Sequence, residues 1–254
     1  MSVNEKMTAI ADAIRDKTGN TKTLTLDEMV AEIPRVYDTG KQNEKKLIFD
    51  SLDGLYCMFY QNQNMDLLPH LLDADLTRVE STYNMFQNNT VITEFHAPTS
   101  LKPKNIRGMF YNCTNLITVS GLADPTDTET LHRNFSITDA FNGCTKLVSA
   151  GAIRLGGITS VPRAFQGCAA LQQVEIVGVI GVTGLSFGDC VVLSKASIES
   201  VINALSTTTS NLTITFSKVA VNNAFGIDVD DESTYTAEWN ALRGSKSNWN
   251  FSFV

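Results

Sequence analysis

Phe110-Tyr111-Asn112-Cys113-Thr114-Asn115-Leu116-Ile117-Thr118-Val119 is the clearest copy of a pattern that recurs through this 254-residue chain. Its phenylalanine returns at Phe59, Phe86, Phe110, Phe141, Phe165 and Phe187, at intervals of 27, 24, 31, 24 and 22 residues. Three places after each comes Asn62, Asn89, Cys113, Cys144, Cys168 or Cys190. Six places after come Met65, Ile92, Leu116, Leu147, Leu171 and Leu193, and nine after come Leu68, Phe95, Val119, Ala150, Val174 and Ala196, all apolar. Four places before, the column reads Leu55, Thr82, Ile106, Ile137, Val161 and Thr183, apolar in four of six.

A unit of this length cannot bury its own apolar side, so copies must stack, each completing the core of its neighbour. The spacing between phenylalanines varies while the offsets inside each copy hold, which places insertions in loops outside the conserved arc. The expected fold class is an α/β repeat solenoid. The Asn and Cys column sits where the chain bends and leaves backbone groups without strand partners, a costly state when buried. An Asn amide can satisfy such groups, and Cys fills the same small space as a weakly polar, usually buried side chain.

Val161-Pro162-Arg163-Ala164-Phe165-Gln166-Gly167-Cys168-Ala169-Ala170-Leu171-Gln172-Gln173-Val174-Glu175-Ile176 resembles the BspA-type leucine-rich repeats of bacterial surface proteins and of phage and prophage structural proteins. The family pattern is a hydrophobic residue, Pro, then Ala-Phe, two residues, Cys, two residues, Leu, two residues, and Val or Ile. The resemblance spans residues 50 to 198 and implies a leucine-rich-repeat solenoid. It implies no catalytic residues, because the family recognises many partners and shares none.

The chain is 43% apolar and 19% charged, as suits a packed domain. A net charge of -7, with no basic stripe, argues against nucleic acid and for a protein or carbohydrate partner. The apolar run Val174 to Leu185 is broken by Glu175 and reads as buried strands, so no membrane insertion is expected. The amino terminus is polar from its fourth residue and lacks a signal-peptide apolar core, so export by the general secretory route is not expected. Four of the five cysteines fall in the repeat column, where they read as reduced core thiols. There is no Cys-x-x-Cys pair or histidine at zinc-ligand spacing, so no metal and no cofactor is expected.

Three segments follow. Residues 1–44 hold a helix over 4–17, with Met7, Ile10, Ala11 and Ile14 on one face and Gly19 ending it. A second helix over Leu26 to Ile33 starts at a Thr25/Glu28 capping box and stops at Pro34. The stretch from Ile10 to Gly19, continued by Leu24 to Met29, looks like a leader segment of tail-associated phage proteins, which implies an attachment module. Residues 38–46 read as a linker. The repeat unit covers 45–198. Residues 199–254 read as a small α/β cap, entered by a helix from Ser194 to Leu205. After it come a strand from Asn211 to Ser217, a helix near Val219 to Phe225, an acidic loop Asp228 to Glu232, a helix from Ala237 to Arg243 and a last strand from Trp249 to Val254. The acidic loop lacks the glycine and distal glutamate of a helix-loop-helix calcium site and reads as solvated.

His70, His96 and His132 lie in different repeats, and nucleophile-elbow and phosphate-loop motifs are absent, so the chain reads as non-enzymatic. Gly178, Gly181 and Gly184 read as turn residues. Candidate partner-binding residues are Gln172, Gln173 and Glu175, outward by strand alternation, and Asp124, Asp127 and His132 in the largest insertion, between Val119 and Ile137. The resemblance then implies a phage virion component at the tail tip or fibre. Residues 1–44 would bind other virion proteins and support a homo-oligomer, a trimer being favoured, while the repeat surface meets a host protein or carbohydrate. The alternatives are a bacterial cell-surface adhesin, which would be expected to carry an export or wall-anchoring signal, and a phage head decoration protein.

Overall fold

Spacing of apolar residues by three and four does produce the first helix, α1 (Val3–Thr18), with Ala11 and Ile14 buried and Thr8, Ala9 and Asp12 exposed. The computed structural model describes residues 3–18, 54–123 and 135–254. The second helix expected over 26–33, the linker over 38–46 and Asp124, Asp127 and His132 lie outside the described residues.

Two compact units divide the chain. One comprises 1–53 and 64–78 and includes α1 and the short helix α2 (Leu68–Leu72), with Leu67, Leu71, Ala74 and Leu76 buried. Met65 and Leu68, the sixth and ninth places of the first repeat, belong to this unit and are half-buried.

The other unit, 54–63 with 79–254, is mixed α/β with parallel sheets. Its elements are β1 (Glu94–His96), β2 (Thr118–Ser120), β3 (Phe135–Ser136), β4 (Ser149–Arg154), β5 (Ile158–Ser160), β6 (Gln173–Val177) and β7 (Leu185–Phe187). They are followed by α3 (Lys195–Ala204), β8 (Leu212–Phe216), α4 (Lys218–Phe225), α5 (Ala237–Gly244) and β9 (Trp249–Phe253). Three parallel sheets have the orders β1-β2-β4-β6, β3-β5 and β7-β8-β9.

The phenylalanines form one column of rings. Successive centroids from Phe59 through Phe86, Phe110, Phe141 and Phe165 to Phe187 lie 4.8–5.5 Å apart, with interplanar angles of 2–22°. All six are buried to 1% exposure or less. Phe216 on β8 extends the column at 6.0 Å from Phe187.

Around the first five rings the backbone carries a left-handed residue on each side, which the sequence offsets do not show. Residues two before and two after the phenylalanine are left-handed: Cys57 and Gln61, Asn84 and Asn88, Gly108 and Asn112, Asp139 and Gly143, Arg163 and Gly167, with φ of 52–80°. Every second N–H then donates to the next repeat. Those of Ile106, Gly108, Phe110 and Asn112 reach the carbonyls of Ser136, Thr138, Ala140 and Asn142 at 2.7–3.1 Å. The N–H groups between them close turns at home: Met109 to Ile106, Tyr111 to Gly108 and Cys113 to Phe110, each 3.0 Å. Every backbone N–H from Ile106 to Cys113 thus has an acceptor, Arg107 through Asn105 Oδ1, as burial demands. Asn and Asp tolerate the left-handed region through short polar side chains, whereas Arg163 is tied by Nε and Nη2 to the two carboxylate oxygens of Asp139 at 2.7 and 2.8 Å.

The bend column does satisfy backbone, and the thiols do more than fill space. Asn89 Nδ2 donates to the carbonyl of Asn62 at 2.6 Å, and its Oδ1 accepts from the N–H groups of Val91 and Ile92. Cys113, Cys144 and Cys168 donate Sγ–H to the carbonyls of Phe86, Phe110 and Phe141 at 3.0, 3.0 and 3.1 Å. All five cysteines are free, and the four in the column are buried.

The ninth-place column departs at its first and last members, Leu68 being half-buried in α2. Ala196 is exposed, because Ser194 accepts from the Ser197 N–H as an N-cap and turns the sixth repeat into α3 instead of a strand. A β-bulge at Ser149/Gly151 marks β4, and only glycine fits at 151. Its φ is 63°, and a Cβ there would meet the Val119 carbonyl oxygen at 2.8 Å.

Burial pushes the Cys113 and Cys168 thiols up from the ordinary 9.0 to about 12, and raises Cys144 and Cys190 as well. A pKa raised in the folded state stabilises fully below the unfolded value and is lost as pH rises towards the folded one. Urea midpoints should therefore hold to about pH 9 and fall from there towards about pH 12, less steeply in Cys113→Ala than in the parent. Native protein should expose only Cys57 to rapid thiol labelling. A midpoint independent of pH across this window, or fast labelling of several thiols, would contradict the buried-donor assignment.

Candidate partner-binding surface

One polar row crosses the four-stranded sheet because each strand buries its second residue, Phe95, Val119, Ala150 or Val174. Phe95, Val119 and Val174 point inward, and their neighbours Glu94, Thr118, Ser149 and Gln173 pair in register across the outer face. Beyond it His96 pairs with Ser120 on β1 and β2, and past the bulge Ala152 pairs with Glu175 on β4 and β6. Of the residues expected here, Gln172, Gln173 and Glu175 are all exposed. Gln172 also holds structure through its backbone: its N–H donates to the Val148 carbonyl at 2.9 Å, and its carbonyl accepts from Ser194 N–H.

His96 has company that motif reading missed. Its Nδ1 is hydrogen-bonded to Ser120 Oγ at 2.7 Å, and Nε2 lies 3.6 Å from Glu94 Oε2. His96 and Glu94 side chains are each 63% exposed, so this group is solvated and can act as a hydrogen-bonding patch. The signal was present in the sequence: His96 and Ser120 stand at the same offset, ten places, from Phe86 and Phe110. Equal offsets likewise pair Lys104 with Glu80 at 2.5 Å, Asn112 with Asn88 at 3.0 Å and Lys146 with Asn115 at 2.8 Å.

A second polar area lies where the chain turns around the phenylalanines. Tyr111, Asp139, Asn142, Arg163, Gln166 and Asp189 line an open depression of about 640 Å³. The Arg163 guanidinium lowers the Asp139 pKa, helped by the Asn142 amide, so this carboxylate stays ionised. Asp189 accepts from the Gly167 N–H at 2.8 Å.

The acidic loop spends its carboxylates on itself. Asp228 and Asp231 accept from the N–H groups of Asp230 and Ser233, and Asp230 pairs with Lys218 at 2.8 Å. Hydrogen bonds from Ser233 lower the Asp231 pKa. Among the described residues no group of three or more His, Cys, Asp or Glu side chains converges as a metal site, and no helix is long and apolar enough to cross a membrane.

The free edge of β6 beside Gln172 and Glu175 is sealed by serines. Ser197 and Ser200 on α3 accept from the N–H groups of Val174 and Ile176, both at 2.9 Å. Two hydroxyls thus stand where the carbonyls of another strand would be, which closes an edge otherwise open to strand pairing.

No family model matches the chain, and comparison with curated proteins and with solved structures finds no match.

Replacing both Ser197 and Ser200 by Ala leaves the Val174 and Ile176 N–H groups unpaired. The expected cost is about 1–3 kcal/mol per orphaned group, with faster hydrogen exchange at those two amides and a greater tendency to self-associate. Unchanged exchange there would show that the hydroxyls are not what protects the edge.

Proposed function

We propose that this chain is a non-enzymatic structural and recognition protein of a phage virion, placed at the tail tip or fibre, whose repeats form a leucine-rich-repeat solenoid of the BspA kind. The observation that carries the reading is the polar row from Glu94 to Gln173, held in register across four strands above a column of buried apolar residues. A rigid, outward polar face of this sort suits recognition of a host surface protein or carbohydrate, and the net charge of -7 disfavours nucleic acid. Residues 1–44 would join the chain to other virion proteins and support a homo-oligomer, a trimer being favoured. Nothing in this role calls for a cofactor.

Mass spectrometry of density-purified particles and of the cell-wall fraction from an induced source culture tests the reading. A few to a few dozen copies per particle is the expected result. Hundreds would favour a head decoration protein, and recovery only from the wall would favour a surface adhesin. Within the tail reading, substituting Gln172, Gln173 and Glu175 together by Ala should leave the thermal midpoint within a few degrees and weaken host binding. Unchanged binding would move the contact off this edge of the sheet.

A further inference from the structure

β9 is an outer strand of the three-stranded sheet. Its even-numbered residues bond inward: Asn211 N–H reaches the Asn248 carbonyl, Val254 N–H the Phe216 carbonyl, and Lys218 N–H the Val254 carbonyl, at 2.8–3.1 Å. Alternation along a parallel strand then sends the N–H and C=O of Phe251 and Phe253 away from β8. Among the described residues those groups have no backbone or side-chain partner on that side. The contrast with β6, whose edge two serines close, is direct.

Beside this edge an open depression of about 430 Å³ lies between α5 and β9, lined among others by Glu232, Tyr235, Arg243, Lys246, Trp249 and Phe251. The Arg243 guanidinium lies over the Tyr235 and Phe251 rings at 5.2 and 5.8 Å. It forms no ion pair with any described carboxylate. Lys246, only 8% exposed, donates Nζ to the carbonyls of Asn203 and Leu205 and likewise meets no carboxylate. Two cations against the single carboxylate of Glu232 make this a positive spot on a chain of net charge -7.

We propose that β9 and this depression bind an extended acidic peptide of a partner protein, which adds as a strand along β9 and sets a carboxylate against Arg243. Backbone pairing to Phe251 and Phe253 supplies affinity, and the charged depression selects the side chain, as in other strand-addition complexes. A second copy of β9 does not fit this edge as well: Trp249-Asn250-Phe251-Ser252-Phe253-Val254 contains no carboxylate side chain to offer Arg243.

The full chain is titrated into a fluorescein-labelled peptide of about eight residues alternating valine with aspartate, followed by anisotropy and by amide hydrogen exchange. Binding should slow exchange at Phe251 and Phe253, and should be lost when the peptide is N-methylated at alternate residues or when lysine replaces aspartate. Arg243→Gln should weaken it about tenfold or more with the thermal midpoint checked alongside. The N-methylated peptide tests the strand pairing even if that variant is destabilised. No binding of the aspartate peptide, or equal binding of the lysine peptide, overturns the proposal. So does protection of Phe251 and Phe253 that grows with protein concentration in the absence of peptide, which would assign the edge to a second copy.

Discussion

Each phenylalanine carbonyl in the middle of the stack accepts twice, and the repeat architecture hangs on that. The Phe110 carbonyl takes the Cys113 N–H at 3.0 Å, closing its own turn, and the Cys144 thiol at 3.0 Å, fastening the following repeat. Phe86 and Phe141 do the same with Asn89 and Cys113, and with Cys144 and Cys168. A buried carbonyl without these donors would cost more than the bonds themselves contribute. The thiol must stay protonated to donate, and burial ensures that it does. Ring stacking beside these bonds adds dispersion along the same axis, so sequence variation elsewhere in the repeat can be absorbed by loops.

Much of this was legible because a stacked repeat converts sequence offset into spatial position. The columns of Phe, of Asn or Cys, and of apolar residues at the sixth and ninth places are the buried ones in the central repeats. What the offsets could not disclose was backbone conformation. A left-handed residue two places to either side of the ring leaves no hydrophobic period of its own, and Cys57, Gln61 and Arg163 are not residues that announce a positive φ. The helix expected from Ser194 is there with Ser194 as its cap, and it overrides the ninth-place column: Ala196 falls in its first turn and is exposed, while Ile198, Val201 and Ile202 carry the buried face.

The polar face was half legible. Alternation alone put Gln173 and Glu175 outside, but the His96, Ser120 and Glu94 group needed the rule that equal offsets are neighbours. Phe216 shows the limit of that rule. It continues the ring column at 6.0 Å, yet no Asn or Cys follows it three places on, where the chain carries exposed Val219. The column thus ends by passing from turn-rich repeats into true strands, β7 to β9, and the edges of β6 and β9 are treated differently, one covered by hydroxyls and one left bare.

Inter-repeat backbone contacts measured by proton NMR on an assigned, isotope-labelled sample test the central claim most directly. The account requires the amide protons of Gly108, Phe110 and Asn112 to sit against the residues that accept them, Thr138, Ala140 and Asn142, with the equivalent contacts repeated from Asp139, Phe141 and Gly143 to Pro162, Ala164 and Gln166. Cross-peaks at those pairs would establish the register. A set displaced by one residue, or contacts confined within each repeat, would contradict it.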